Sequence, residues 1–566
     1  MRSKWLGLFW AALALCLPCA ALADDLADLV HVDPVAALAA ADARLAGAAP
    51  PAQRAAALAV RALALSQMGR RDEALATLGK AAPPDEDTRA ELLFARSIVL
   101  GHAQDYAAAE APANEARAIR ARLWGEDDAR VAMIDASLGM LMVSQGKAAE
   151  ALPQLARAWD IMREALPPGD SDRAAAGHYY ATALSRLRRA EQAETLLRQL
   201  ARDAALLPAG HSLRARVPIG LGTELLMQGR IAQAVPLLRA GVDQGAASRS
   251  LQPGEIANAL SVLGSALLQQ DRPELALDVL RAAADRYGAG GLLPGKASAL
   301  IAAGSAADRT GDRAAGLALR EEALAILQGL PRQSELGMAL ARFKLAQSLA
   351  HAGRLAEAEE AEAADAETLA RLRPESHFQV TNSRIALGWM EVLRGRTASG
   401  LERVRQAFRL SVAANDQLEA ARNQVVGVLD NVEAYSQALE AARLAGDPAF
   451  AFEVMQVMVE TDASRAAVAV TRREQAGEGA LGDLLRRRQE AASSPDPAGA
   501  LARIDAELDA RFPEFRVLLR PRRVSLDEAR RGLAGDEALL VIVESDLGLY
   551  TMGLTRAGLA LGHAPL

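Results

Sequence analysis

The 566-residue sequence contains two cysteines, Cys16 and Cys19, both within its first 23 residues. Beyond that point there is no thiol, so disulfide staples, thiolate metal ligands and a cysteine nucleophile are excluded there. Aromatic residues make up only 4% of the chain, so a core built on large rings is not expected and small side chains must do the packing. After residue 23 no apolar run approaches the roughly 20 residues that a membrane-spanning helix needs. A basic surplus is missing too: 64 Lys and Arg face 71 Asp and Glu, a formal net charge of −7 that disfavours nucleic acid as a partner. The seven histidines (31, 102, 178, 211, 351, 377 and 563) show no HExxH or paired-ligand spacing, and no GxSxG nucleophile motif is present. Gly290 to Ala297 (GGLLPGKA) approaches a phosphate-binding loop. It carries Ala297 where a hydroxyl should hold magnesium, and a helical pattern rather than a strand precedes it. We therefore expect no catalytic constellation, no metal site and no cofactor.

Residues 1–23 have the pattern of a secretory signal peptide. Arg2 and Lys4 form a basic start, residues 5–19 are apolar, and Ala21 and Ala23 stand at the −3 and −1 positions of a cleavage site before Asp24. Cleavage implies a periplasmic or secreted protein without membrane insertion, and loss of Arg2 and Lys4 takes the formal charge from −7 to −9.

What the rest of the chain does have is a repeat. In the stretch LGMLMVSQGKAAEALPQLARA (138–158), Gly146 separates two helical patterns, and the same register returns at Gly69, Gln104, Arg188, Gly229, Asp271, Gly311, Gly353, Gly395 and Gly446. Five residues after every anchor stands Ala or Gly, from Ala74 to Ala451. Seven before it stands Gly139, Gly222, Gly264, Gly304 or Gly388, with Ala or Ser in most other copies. Two antiparallel helices can cross closely only where small residues face each other. Larger residues at −8, −4 and +9 (Leu138, Met142 and Leu155; Leu263, Leu267 and Leu280) then fill the layer. Each hairpin leaves an apolar face that the next must cover.

These residues resemble the tetratricopeptide repeat, whose common period is about 34 residues. Here most gaps are 40 to 42, the extra residues falling in connectors such as LWGEDD (123–128), LPPGDSD (166–172), LLPAGHS (206–212), LQPGE (251–255) and LRPESH (372–377). That form resembles the longer repeats of kinesin light chains and many bacterial regulators. The resemblance implies an all-α superhelical solenoid of about ten hairpins over residues 24–476. The last gap, 51 residues, predicts longer helices around Val404–Leu444.

After Gly477 the repeat stops. Helices are predicted at Ala480–Ala492 and Ala498–Arg511, and Ser525 with Glu528 reads as a capping box. Residues 538–544 (ALLVIVE) and 549–555 read as strands leading towards a third, a short α/β segment over 477–566. The first strand is apolar on both faces, which suits a central strand covered on each side; left as it stands, it exposes a face and an edge. Phe452, Glu453, the FPEF of 512–515, Pro521 and the DEALL of 536–540 are similar to the lead-in and first strands of a CHAT domain, a caspase-like module. The resemblance implies an incomplete copy. No catalytic residue carries over, because the family's His and Cys lie beyond the matched segment and His563 stands in no motif.

Function is then sought on the first helix of each hairpin. Positions 13, 10, 6 and 3 before each anchor share one helical face, which in this repeat family lines the concave groove. They give His178, Thr182 and Ser185; Arg216, Thr223 and Leu226; Asn258, Ser261 and Ser265; Ser298, Ser305 and Asp308; then Gln347 and Asn382. Hydroxyls and amides at this spacing suit the backbone of an extended peptide. We expect a non-catalytic scaffold that binds a peptide or protein through His178, Thr182, Arg216, Thr223, Asn258, Ser261, Ser265, Ser305, Gln347 and Asn382. The alternatives are the docking arm of a CHAT peptidase and a spacer without a ligand. Acidic runs such as Glu357, Glu359, Glu360 and Glu362 read as exposed helix faces.

Overall fold

The computed structural model describes residues 21–332, 334–422, 428–459, 479–492, 503–504, 506–508, 510–512, 523–545 and 547–565. The chain divides into two compact units, Met1–Gly311 and Asp312–Leu566.

The anchors explain the fold. All ten have positive φ: the seven glycines lie between 67° and 87°, and Gln104, Arg188 and Asp271, at 57–60°, are the three non-glycine residues in that region among the described residues. A left-handed residue ends a helix by sending its amide back to the helix's last carbonyls, and the chain reverses. Gly146 N–H, for example, donates to Val143 O, and Lys147 N–H to Met142 O. The left-handed conformation costs a residue with a Cβ about 1 kcal/mol. Arg188→Gly is therefore expected to raise the stability of the first unit by about that much, measured by urea denaturation.

The first unit begins with α1 (Ala21–Val30), α2 (Pro34–Ala46) and the hairpin α3 (Pro51–Gln67) and α4 (Arg71–Leu78). There follow α5 (Glu86–His102) with α6 (Tyr106–Trp124), α7 (Ala129–Ser144) with α8 (Ala148–Ala165), and α9 (Ser171–Arg186) with α10 (Ala190–Ala204). Next come α11 (Ser212–Met227) with α12 (Ile231–Ala247), α13 (Pro253–Gln269) with α14 (Pro273–Ala289), and α15 (Leu293–Arg309). The connectors before α7, α9, α11 and α13 cap those first helices. Asp128 accepts from Arg130 N–H, Asp170 from Arg173 N–H and His211 from Leu213 N–H, while Gln252 and Glu255 form a capping box. Inside the hairpins the small residues are needed. A Cβ on Gly139, Gly222 or Gly264 would lie 2.5–2.7 Å from the Cγ of Leu155, Leu238 or Leu280. The alanines at +5, Ala151, Ala193, Ala234 and Ala276 among them, are fully buried.

The second unit holds α16 (Arg313–Gln328), α17 (Glu335–His351), α18 (Leu355–Leu372), α19 (Phe378–Leu393), α20 (Thr397–Arg422), α21 (Val428–Leu444), α22 (Pro448–Val459), α23 (Ala480–Ala492) and α24 (Leu526–Gly532). At 26 residues α20 is longer than any other described helix, in the region of the long gap. Of the predicted helix at 498–511, the described residues 503–504, 506–508 and 510–511 are helical. The FPEF motif falls mostly outside the described residues, as does the segment 460–478. Ser525 and Glu528 form the expected capping box.

The strands β1 (Ala538–Ser545), β2 (Gly548–Thr555) and β3 (Leu559–Ala564) form an antiparallel sheet in that order. One face joins the helical core through Val543, Tyr550 and Met552, and Tyr550 Oη donates to Glu440 Oε2 at 2.8 Å. The other face of β1 is open, with Leu540 63% and Ile542 53% exposed. Among the described residues β1 is thus an edge strand, not the central strand its double apolar pattern predicts. His563 has a structural part, stacking on Tyr550 at 4.6 Å with Nε2 3.1 Å from Leu547 O. The architecture is a helical-repeat solenoid with a small antiparallel sheet at its C-terminal end.

Candidate functional site

In the first unit the predicted inner face is polar and open to different degrees. Asn258 is exposed although its neighbours Ala257 and Ala259 are fully buried, and Ser298 is exposed in the next first helix. The hydroxyls return to their own helices. Thr182 donates to His178 O at 2.8 Å, Thr223 to Ile219 O at 2.8 Å, Ser261 to Ala257 O at 3.0 Å, Ser265 to Ser261 O at 2.9 Å, and Ser305 to Ile301 O at 3.4 Å. Their hydrogens are used locally, and each oxygen keeps lone pairs for an incoming N–H.

Arg216 and His178 belong to a denser polar cluster. Arg216 donates twice to Glu255, at 2.8 and 3.1 Å, linking α11 to α13. Its charge is felt by His31, His178 and His211, whose pKa values all fall to about 4. Burial is the larger cause, and for His31 the neighbouring His211 adds to it. These imidazoles are neutral at physiological pH. His211 Nδ1 accepts from Leu213 N–H, so its proton sits on Nε2, which is buried without a hydrogen-bond partner. His178 Nδ1 is likewise buried and unpartnered.

The turn between α1 and α2 reaches the same region from far away in sequence. His31 stacks obliquely on His211, ring centroids 5.5 Å apart. Ser212 N–H donates to His31 O at 2.9 Å and Ser250 Oγ to the same carbonyl at 2.6 Å. Ser171 Oγ donates to Asp28 Oδ1 at 2.6 Å, and Arg249 pairs with Asp33 at 2.7 Å.

The second unit differs from the expected groove. Gln347 and Asn382 are buried, at 4% and 8% exposure. The reason is α21, which packs against α19 and reaches α17 through the Lys344–Glu433 pair at 2.5 Å. Lys344 also donates to Gln347 Oε1 at 3.2 Å. Glu362, expected on an exposed helix face, is fully buried, as is Asp365. They stand nine and twelve residues after Gly353, where the Gly146 copy has Leu155 and Ala158. Ser383 donates to Glu362 Oε1 at 2.6 Å, while Glu362 Oε2 and both Asp365 oxygens have no partner. Burial, then the neighbouring Asp365, pushes Glu362 well above the usual carboxylate range, and burial raises Asp365 to about 7.

The structure thus brings His178 and Arg216 into one cluster, spreads Thr182 to Ser305 along successive first helices, and takes Gln347 and Asn382 out of reach. His31, His211, Ser250 and the acidic pair were not identified as site residues from the sequence. Only the acidic pair carried a local signal, two carboxylates in a leucine–alanine register.

No protein-family model and no curated protein sequence matches the chain. Among solved structures, the apo form of RapI aligns with a TM-score of 0.51 at 10% identity, covering 69% of this chain and 99% of that one. A Rap protein complexed with competence and sporulation factor aligns at 10% identity and TM-score 0.39, covering 68% and 99%. A Podosopora anserina putative kinesin light chain with nearly identical TPR-like repeats aligns at 21% identity and TM-score 0.31, covering 35% and 96%. The likeness to RapI agrees with the helical-repeat fold described above.

Proposed function

We propose that this chain is a non-catalytic interaction scaffold, holding an extended peptide or a partner protein along the first-helix face of its N-terminal unit. The observation that carries the reading is the alternation on α13 and α15: Asn258 and Ser298 stand open on helices whose adjacent residues are buried alanines. Selection for packing alone would not require polar, open positions in that register. The acidic balance supports a protein or peptide rather than nucleic acid, and residues 1–23 support export to the periplasm or beyond. No described helix is long and apolar enough to cross a membrane. Asn258→Arg with Ser298→Arg should abolish partner capture by the purified chain while the helical circular-dichroism signal is kept. Undiminished capture would overturn the groove assignment.

A second reading rests on β1. Its open apolar face, Leu540 and Ile542, is a surface that a larger α/β layer would cover, as in a CHAT domain, and the helical units would then be the docking arm of a caspase-like peptidase. Reading the gene past codon 566 tests it: a His and a Cys on successive predicted strands support it, and an immediate stop codon removes it.

A further inference from the structure

We infer that the surface formed by Ser171, His211, Ser212, Arg249 and Ser250 is a binding site for an acidic peptide, occupied here by the chain's own α1–α2 turn. The inference rests on the scaffold reading and names both the partner chemistry and a control on access. The contacts have one direction. Ser171 Oγ–H, Ser212 N–H, Ser250 Oγ–H and the Arg249 guanidinium all donate, and the turn supplies only acceptors: the Asp28 carboxylate, the His31 carbonyl twice, and the Asp33 carboxylate. A surface made of donors selects carboxylates and exposed carbonyls.

The receiving side is built rather than incidental. Under the docked turn Ser212 is 1% exposed, Ser250 3% and His211 2%, and within the receiving side itself Ser248 Oγ holds the loop by donating to Gly210 O at 2.8 Å. The donors come from the starts of three successive first helices and their connectors, α9, α11 and the segment before α13. His211 offers a further unpartnered, buried Nε2. The turn that fills the site is tied to the first hairpins by short-range packing of α1 and α2 on α3. Its partners lie 143 to 219 residues further along. It therefore behaves as a tethered ligand that a free segment of the same chemistry, two carboxylates five residues apart around an accepting carbonyl, displaces.

The test uses the full chain and a fluorescein-labelled synthetic peptide with the sequence of residues 26–38. Asp28→Asn with Asp33→Asn weakens the resident turn but leaves the receiving surface unchanged, and asparagine still caps α2. Fluorescence anisotropy should show the peptide binding this variant at least ten-fold more tightly than the wild type. Adding Arg249→Glu should abolish that binding. Equal affinity for variant and wild type, or binding to neither, overturns the proposal. As a second measurement, Arg249→Ala in the otherwise wild-type chain should speed hydrogen exchange at the Ser212 amide at least ten-fold; unchanged exchange also counts against a docked, displaceable turn. Neither readout involves Asn258 or Ser298, so failure here is separable from failure of the scaffold reading.

Discussion

Replacing Glu362 by leucine, Asp365 by alanine and Ser383 by alanine should stabilise the second unit by about 3 kcal/mol at pH 8. The triple variant restores the apolar register of the repeat: Leu155 and Ala158 occupy the equivalent second-helix positions after Gly146, and Ala176 the equivalent of Ser383. In the wild type, two carboxyl groups one helical turn apart are fully buried, and three of their four oxygens have no hydrogen-bond partner. The sign of the pH dependence follows from the shift. Asp365 titrates near 3.8 when unfolded and near 7 when folded, so between these values the folded protein holds the extra proton. Stability of the second unit therefore falls as pH rises from 4 to 7, and the variant should lose most of that slope. The charged groups that act on the pair are Lys344 and Glu433 beside Glu362 and Arg342 beside Asp365. Hydrogen exchange of α18 and α19 amides between pH 4 and 8, corrected for intrinsic rates, reads the effect locally. A pH-independent wild type, or a triple variant less stable than the wild type at pH 8, contradicts it.

Gly264→Ala should cost about 2 kcal/mol, although alanine in an exposed helix would gain about 1 kcal/mol over glycine. The added Cβ would lie 2.5 Å from Leu280 Cγ and 2.7 Å from its Cδ2, inside any permitted contact. Leu280 is fully buried and cannot swing out without opening a cavity. In a Leu280→Ala background, itself costing about 2–5 kcal/mol, the same glycine change should become neutral or stabilising. A double-mutant cycle by urea denaturation measures this coupling directly. Additive effects would mean that the helix crossing is not set by this pair.

The repeat was legible because its signal is short-range and periodic. The left-handed turn at Arg188 is the clearest example: nothing about arginine suggests positive φ, but its place between Gly146 and Gly229 does. The connectors were legible as boundaries, and their role as helix caps, at Asp128, Asp170 and His211, follows from the same spacing. Contacts that span the array left no such trace. Asp28, His31 and Asp33 meet residues 143 to 219 positions away, through a turn with no motif of its own. The burial of Gln347 and Asn382 depends on where α21 lies, which the pattern of α17 and α19 does not encode. Glu362 was misread because a run of glutamates was weighed as a run, when its position nine residues after Gly353 was the informative fact. The strand 538–545 shows the same limit from the other side: its apolar alternation reports what each face tolerates, not what covers it.

Site-specific photocrosslinking of the captured partner most directly tests the central claim, that ligands lie along the first-helix face. A benzophenone amino acid is placed either at Asn258 on α13 or at Leu275 on α14, two exposed positions on the two helices of one hairpin. The account predicts a crosslinked partner from position 258 and none from position 275. Crosslinks from 275 alone would contradict it.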